Sequence, residues 1–154
     1  MVEKLLGVIG GSGLYQMKGL EVIETVTVDT PFGSPSDSII IGKLEGVKLA
    51  FLPRHGVGHV IPPSEINFRA NIFAMKKIGV ERIISVSAVG GMKENMPPGH
   101  FVVPHQFIDR TYKRISTFFT EGMVGHISMA DPVCLVTAGT LFNAAQKAGV
   151  NVHE

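Results

Sequence analysis

Cysteine is almost missing from this sequence: Cys134 is the only one. A disulfide framework within the chain is excluded, and a cysteine-built zinc site has too few ligands. An excess of charge of one sign is missing as well. A formal net charge of +1, with 18% charged residues, creates no global field to draw in nucleic acid or an anionic membrane, so an anion has to be caught locally. Long hydrophobic runs are also absent. The opening "MVEKLLGVIGGSGLY" holds one short apolar run broken by glycine, unlike a signal peptide and too short for a membrane span. The expected compartment is the cytoplasm. Eighteen glycines and nine prolines are scattered as turn punctuation, with no low-complexity linker, internal repeat or domain boundary.

What is present is a chain of 154 residues, 45% of them hydrophobic. That is the size of one domain, large enough to bury roughly 68–70% of its unfolded surface. Leu5–Ile9 reads as a short buried strand running into the glycine turn "GGSGL". Val22–Val28 alternates as a strand, and "TPFGSPSD", Thr30 to Asp37, is turn chemistry. Ser38–Gly42 and Val47–Leu52 flank "KLEG", a hairpin turning at Glu45-Gly46. The loop "PRHGVGHVIPP" follows. A helix is then expected with Ser64 as cap, Glu65 in its first turn and Gly79 at its end. Ile66, Ala70, Phe73 and Ile78, flanked by Ile72 and Met75, make its apolar face. Arg82–Ala88 and Phe101–Val103 read as strands. A second helix opens at Asp131-Pro132, lined inward by Val133, Val136, Leu141, Ala144, Ala145 and Ala148, and ends at Gly149. Helices alternating with apolar strands argue an α/β fold with a largely covered central sheet. Val150 and Val152 look like the start of a further strand. The expectation is therefore an N-terminal part of a larger fold, or a fold whose remaining strands come from elsewhere.

Three segments carry candidate chemistry. In "GVIGGSGLYQ" a strand runs into Gly10, Gly11 and Gly13, where backbone amides can approach an anion. A dinucleotide fingerprint fails because Gln16 stands where the third glycine belongs, and no Gly-Lys-Ser/Thr follows to make a P-loop. A tight turn carrying the hydroxyl of Ser12 explains the pattern equally well. Arg54 and His55 sit directly after a strand. Arginine offers planar charged donors suited to phosphate, and a strand end beside a glycine loop favours an anion site over a plain surface charge. His55 and His59 stand four apart, but Gly56 and Gly58 intervene and no third ligand is at hand, so no metal is expected. "SVSAVGG" puts Ser85 and Ser87 on one face of a strand end. Because ligands of open α/β sheets bind outside the carboxyl ends of strands, Ser12, Arg54-His55 and Ser87 are expected to converge on one tetrahedral anion; the alternative for the serines is a bond to a neighbouring backbone. Asp109 and Arg110 read as an ion pair, His126 as a loop histidine, and Met92, Met96, Met123 and Met129 as core or interface fillers.

Taken together, "GVIGGSGLY", "VDTPFGSPSD", "LPRHGVGHVIPPSEINFRANIFAMKKIG", "SVSAVGGMKENMPPGHFVVPHQFIDRTYKR" and "GHISMADP" resemble the 5'-methylthioadenosine phosphorylase branch of the purine nucleoside phosphorylase family. The motifs match in order along essentially the whole chain, and the family's second half has no counterpart here. The resemblance implies a phosphorylase/hydrolase-like three-layer α/β/α fold with a central mixed sheet, incomplete in this chain, with residues 1–154 as the N-terminal part of a single nucleoside phosphorylase domain. It implies a pentosyltransferase: phosphate attacks the anomeric carbon of methylthioadenosine, releasing adenine and 5-methylthioribose-1-phosphate without metal or organic cofactor. It further implies a homotrimer or higher oligomer, with no nucleic acid or membrane partner. Carried over by residue, the phosphate site is Ser12, Arg54, His55 and Ser87 with the Ala88 amide. Ser12 and Ser87 stand where the family often has threonine. His59 resembles a sugar-side residue, and His126 the histidine that closes a neighbouring subunit's alkylthio pocket. The groups that grip base and ribose belong to the half without counterpart, so weak or no turnover is expected of these 154 residues alone. Alternatives are a phosphorylase of inosine, guanosine or methylthioinosine, a hydrolytic nucleosidase, a non-catalytic subunit of the same fold, and, least supported, a dinucleotide-binding module.

Overall fold

A computed structural model describes residues 4–11, 13–14 and 17–154. Residues up to Ala88 form one compact unit and Val89–Glu154 another. The first is built on five strands, β1 (Leu5–Gly10), β2 (Glu21–Val26), β3 (Ile39–Leu44), β4 (Val47–Pro53) and β5 (Val80–Ser85), with α1 (Phe68–Lys77) between the last two. Their spatial order is β2-β3-β4-β1-β5. β1 runs parallel to both its neighbours, β4 and β5, whereas β3 pairs antiparallel with β2 and with β4. The result is the mixed sheet of an α/β fold.

Period-two alternation sorts the strand side chains to two faces. On one, Ile9, Ile39, Ile41, Ala50 and Leu52 pack with Ala74 and Met75 of α1. On the other, Val8, Leu49 and Phe51 are covered by Leu14, Met17 and Leu20, so in this unit a loop segment closes that side. Phe51, Ile39, Leu52 and Met75 are completely buried; each such side chain contributes about 1.5–3 kcal/mol on transfer from water. β3 and β4 join through Glu45 and Gly46, with φ of 47° and 80°. Positive φ at both positions gives a two-residue turn whose twist matches its strands, as the sequence suggested. The expected strand over 22–28 runs instead over Glu21–Val26. The one expected at 82–88 begins earlier, at Val80, and stops at Ser85, because Ser85 is the last residue in register with β1.

α1 departs from its sequence reading in its cap and in part of its face: Ile66, Ala70 and Met75 are buried and Ile78 packs on the core as expected, whereas Ile72 is exposed. Ser64 does not cap it. Residues 63–65 form a turn, and Asn67 is the cap, its Oδ1 accepting from the Ala70 amide at 3.1 Å. The buried face is Ala70, Asn71, Ala74 and Met75. Phe73 turns instead to Phe32, edge to face at 5.7 Å, with Arg69 stacked over the same ring at 4.8 Å. The polar residue on the buried face has a reason. Asn71 Oδ1 accepts from the Ser36 amide at 2.8 Å and its Nδ2 donates to Ser36 Oγ at 2.9 Å. Asn67 Nδ2 donates to the Phe32 carbonyl at 2.6 Å. Two asparagines of one helix thus hold the 30–38 loop. Ile78 caps the other end of α1, and Gly79, at φ 90°, turns the chain toward β5.

The second unit holds β6 (Phe101–Val102), α2 (Leu135–Lys147) and β7 (Val152–His153), with β6 and β7 parallel. α2 starts at Leu135 rather than at Pro132, because the first helical bond is accepted by the Cys134 carbonyl, from the Ala138 amide at 2.9 Å. Of its residues only Ala138 is buried; Val136 and Ala144, expected inward, are exposed. Met92, Met123 and Met129 are exposed too, so they do not fill the core of this unit. Asp109 is held below the usual carboxylate range, chiefly by the Thr111 amide, then by the Thr111 side chain, with Arg114 adding its charge. No helix among the described residues is long and apolar enough to cross a membrane.

Replacing Asn71 with Ala strands the Ser36 amide and hydroxyl beside a buried position. Urea unfolding of Asn71→Ala should show a loss of about 1–3 kcal/mol; a change within ±0.5 kcal/mol would mean the loop is not anchored there.

Candidate functional site

The carboxyl ends of β4, β1 and β5 lie side by side, since β1 is the middle strand and runs parallel to both neighbours. Backbone pairing carries on just past the strands. The Arg54 amide donates to the Gly10 carbonyl and the Val86 amide to the Ile9 carbonyl, each at 2.9 Å. The segments leaving β4 and β5 are thus pinned to β1 before they diverge. Leu52 and Ile83 pack in the core on the α1 side of the sheet, and Arg54 and Ser87 lie just past the ends of β4 and β5.

There the two side chains meet. Arg54 Nη1 donates to Ser87 Oγ, and Arg54 Nε donates to His55 Nε2 at 3.1 Å. A guanidinium has five N–H donors in a rigid fork. Among the described residues two are directed at His55 and Ser87, and the others can face an anion. Ser87 accepts from Arg54, which leaves its own O–H to donate outward. Of the two serines in this segment it is Ser87 that Arg54 reaches, beyond the strand end and exposed. Ala88 follows it, also exposed. On the β1 side, a Cβ at Gly10 would stand 2.3 Å from Leu14 Cδ1 and 3.2 Å from the Val86 carbonyl, so a side chain there would have to displace Leu14. At Gly11 a Cβ would meet nothing within 4 Å among the described residues. Ser12 lies outside the described residues.

His55 is buried, 7% exposed, and both its ring nitrogens are engaged. Nδ1 lies 2.8 Å from the Ile61 carbonyl, an oxygen that only accepts, so Nδ1 carries the proton and Nε2 is the acceptor for Arg54. The Ile61 amide returns a bond to the His55 carbonyl at 3.0 Å. His59 stacks on the His55 ring, centroids 4.2 Å apart and planes 19° apart, and holds φ of 59°, a left-handed conformation unusual for a residue with a side chain. Asp37 braces the same loop, with Oδ2 accepting from the Val57 amide at 2.7 Å. Among the described residues no group of three or more His, Cys, Asp or Glu is placed to hold a metal ion. His126 is an exposed residue of the second unit.

Asp37, Ser36 and Asn71 were not singled out by the sequence, although all three support the site. Asp37 was visible as turn chemistry and Asn71 as a polar residue between apolar helix positions. What each one touches was not.

The family model described as phosphorylase superfamily matches residues 5–154. An S-methyl-5'-thioadenosine phosphorylase of Geobacter sulfurreducens is 58% identical over 153 residues, covering 99% of this chain and 54% of that protein. One from Koribacter versatilis is 57% identical, with 94% and 50% covered. Among solved structures, a methylthioadenosine phosphorylase from an Antarctic soil metagenomic library superposes with a TM-score of 0.91 at 49% identity, over 97% of this chain and 53% of that one. The Schistosoma mansoni methylthioadenosine phosphorylase in complex with tubercidin gives 0.88 at 41%, over 97% and 54%. The chain spans about half the length of the curated relatives it matches.

Gly56 has φ of 71°, and a Cβ there would stand 3.3 Å from both the Ser36 carbonyl and Val60 Cγ2. Gly56→Ala should cost about 1–3 kcal/mol in thermal or urea unfolding and shift the amide resonances of residues 54–61. Unchanged stability and an unchanged spectrum would show that the loop geometry does not depend on that glycine.

Proposed function

This chain belongs to the phosphorylase superfamily, and from that premise we propose that it supplies the phosphate side of a nucleoside phosphorylase site acting on S-methyl-5'-thioadenosine. Inorganic phosphate attacks the anomeric carbon, adenine leaves, and 5-methylthioribose-1-phosphate forms. The observation that carries the reading is the Arg54 fork bonded to Ser87 at the shared carboxyl end of three parallel strands. Ser12, Arg54, Ser87 and the Ala88 amide form the phosphate cradle, and His55 belongs to it through its bond to Arg54. A dianion held there is both nucleophile and counter-charge to a sugar carbon that becomes cationic, and its fixed position removes much of the entropic part of the barrier. The methylthio substrate is supported by relatives that carry that activity in their names at 58% and 57% identity. Inosine, guanosine or methylthioinosine is the second choice of substrate.

Phosphate is the only co-substrate in this reading, with no metal or organic cofactor; the engagement of both His55 nitrogens favours this. His59 borders the sugar side, and His126 acts at a neighbouring subunit's alkylthio pocket in a cytoplasmic homotrimer. Residues 1–154 make up the N-terminal part of one nucleoside phosphorylase domain, a reading supported by a single family match that spans both compact units.

The test is adenine release from methylthioadenosine by the native product of this reading frame, with and without inorganic phosphate. Release should require phosphate, and Arg54→Ala should lower kcat/KM for phosphate by about 10²–10³-fold, as for loss of one oxyanion donor. Phosphate-independent release would make the protein a hydrolase, and an unchanged phosphate dependence in Arg54→Ala would remove the cradle.

A further inference from the structure

Resting on that reading of Arg54, we propose that the His55 side chain acts on phosphate only through Arg54, as a positioning residue that fixes the plane of the guanidinium. The ring has no polar atom left to offer an anion. Nδ1 is spent on the Ile61 carbonyl at 2.8 Å and Nε2 on Arg54 Nε at 3.1 Å. Its edge is buried and one face is covered by His59. A bare Nε2 presents a lone pair, which repels an oxyanion and attracts an N–H donor. The bond from Nε, with that from Nη1 to Ser87, takes two separate nitrogens of a planar group. Two anchors on one plane fix its rotation and tilt, so the remaining N–H groups point in one set direction.

The imidazole is itself held from behind. The paired bonds between His55 and Ile61 close the loop on itself. The Asp37 carboxylate takes the Val57 amide, and the segment bearing Asp37 is tied to α1 through Ser36 and Asn71. A continuous series of hydrogen bonds thus runs from the buried face of the helix to the loop that aims the guanidinium. Rigid support of this kind lowers the ordering that anion binding requires.

Two substitutions separate the ring's two nitrogens. In His55→Gln an amide oxygen reaches the position of Nε2 and accepts from Arg54, but the Ile61 bond is lost. In His55→Asn the amide keeps the Ile61 bond and nothing accepts from Arg54. Titration of the native protein with inorganic phosphate should show His55→Asn binding about tenfold or more weakly, and His55→Gln within about threefold of the unsubstituted protein. Any other ranking, including equal losses or no losses, overturns the proposal. Should His55→Asn fail to fold, nitrogen NMR of the unsubstituted protein decides. A protonated Nδ1 with a bare Nε2 whose shift reflects a neutral acceptor supports the proposal, and a proton on Nε2 in the phosphate complex overturns it. Arg54→Ala in the same titration separates the two levels. Undiminished phosphate affinity there defeats the cradle itself, whereas lost affinity there with intact affinity in His55→Asn defeats only the positioning role.

Discussion

Everything in this site turns on the orientation of one guanidinium. A charged fork at the surface, left to itself, samples many rotamers, and its contact with an anion is weakened by water and by the entropy of ordering. Arg54 escapes this because its backbone amide is bonded to the Gly10 carbonyl and its side chain to His55 and Ser87. The three partners come from three segments that the sheet brings together. Remove the parallel pairing of β1 with β4 and β5, and the residues would have no common place to meet.

The sheet topology follows from a division of labour along the chain. β3 and β4 form a local hairpin with a two-residue turn. β1 and β5 are brought beside β4 by longer connections, with α1 crossing between β4 and β5. A helix that packs on the sheet through alanines and Met75 comes close enough for its asparagines to hold a loop more than thirty residues upstream in sequence. The polar residues on its buried side therefore serve the site as well as the core. Asn71, the buried one, is bonded through both its Oδ1 and its Nδ2, and no buried side-chain polar atom among the described residues lacks a partner.

The parts of this arrangement legible in the sequence were those written in short-range patterns. Apolar runs ending in glycine marked β1 and β5, and one ending at Pro53 marked β4, which placed Arg54, His55 and Ser87 near strand ends. Local signals misled where a distant partner decided the outcome. Ser64 and Glu65 look like a helix start, yet Asn67 caps α1 while its amide nitrogen reaches Phe32. Phe73 looks like a core position, yet it leaves the sheet for the Phe32 ring, and Asn71 takes the buried place because Ser36 satisfies it. Asp131-Pro132 looks like the start of α2, yet the helix begins at Leu135, where the first backbone bond forms. The tautomer of His55 was beyond any pattern, since it depends on a carbonyl six residues away and a side chain next door.

The most direct test of this account is a crystal structure with inorganic phosphate. Phosphate should lie against the outward N–H groups of Arg54, with Ser87 Oγ donating to it and the His55 ring still bonded to Arg54 Nε and to the Ile61 carbonyl. Ordered phosphate elsewhere, or one held by His55 Nε2 with the Arg54 fork turned away, would contradict it.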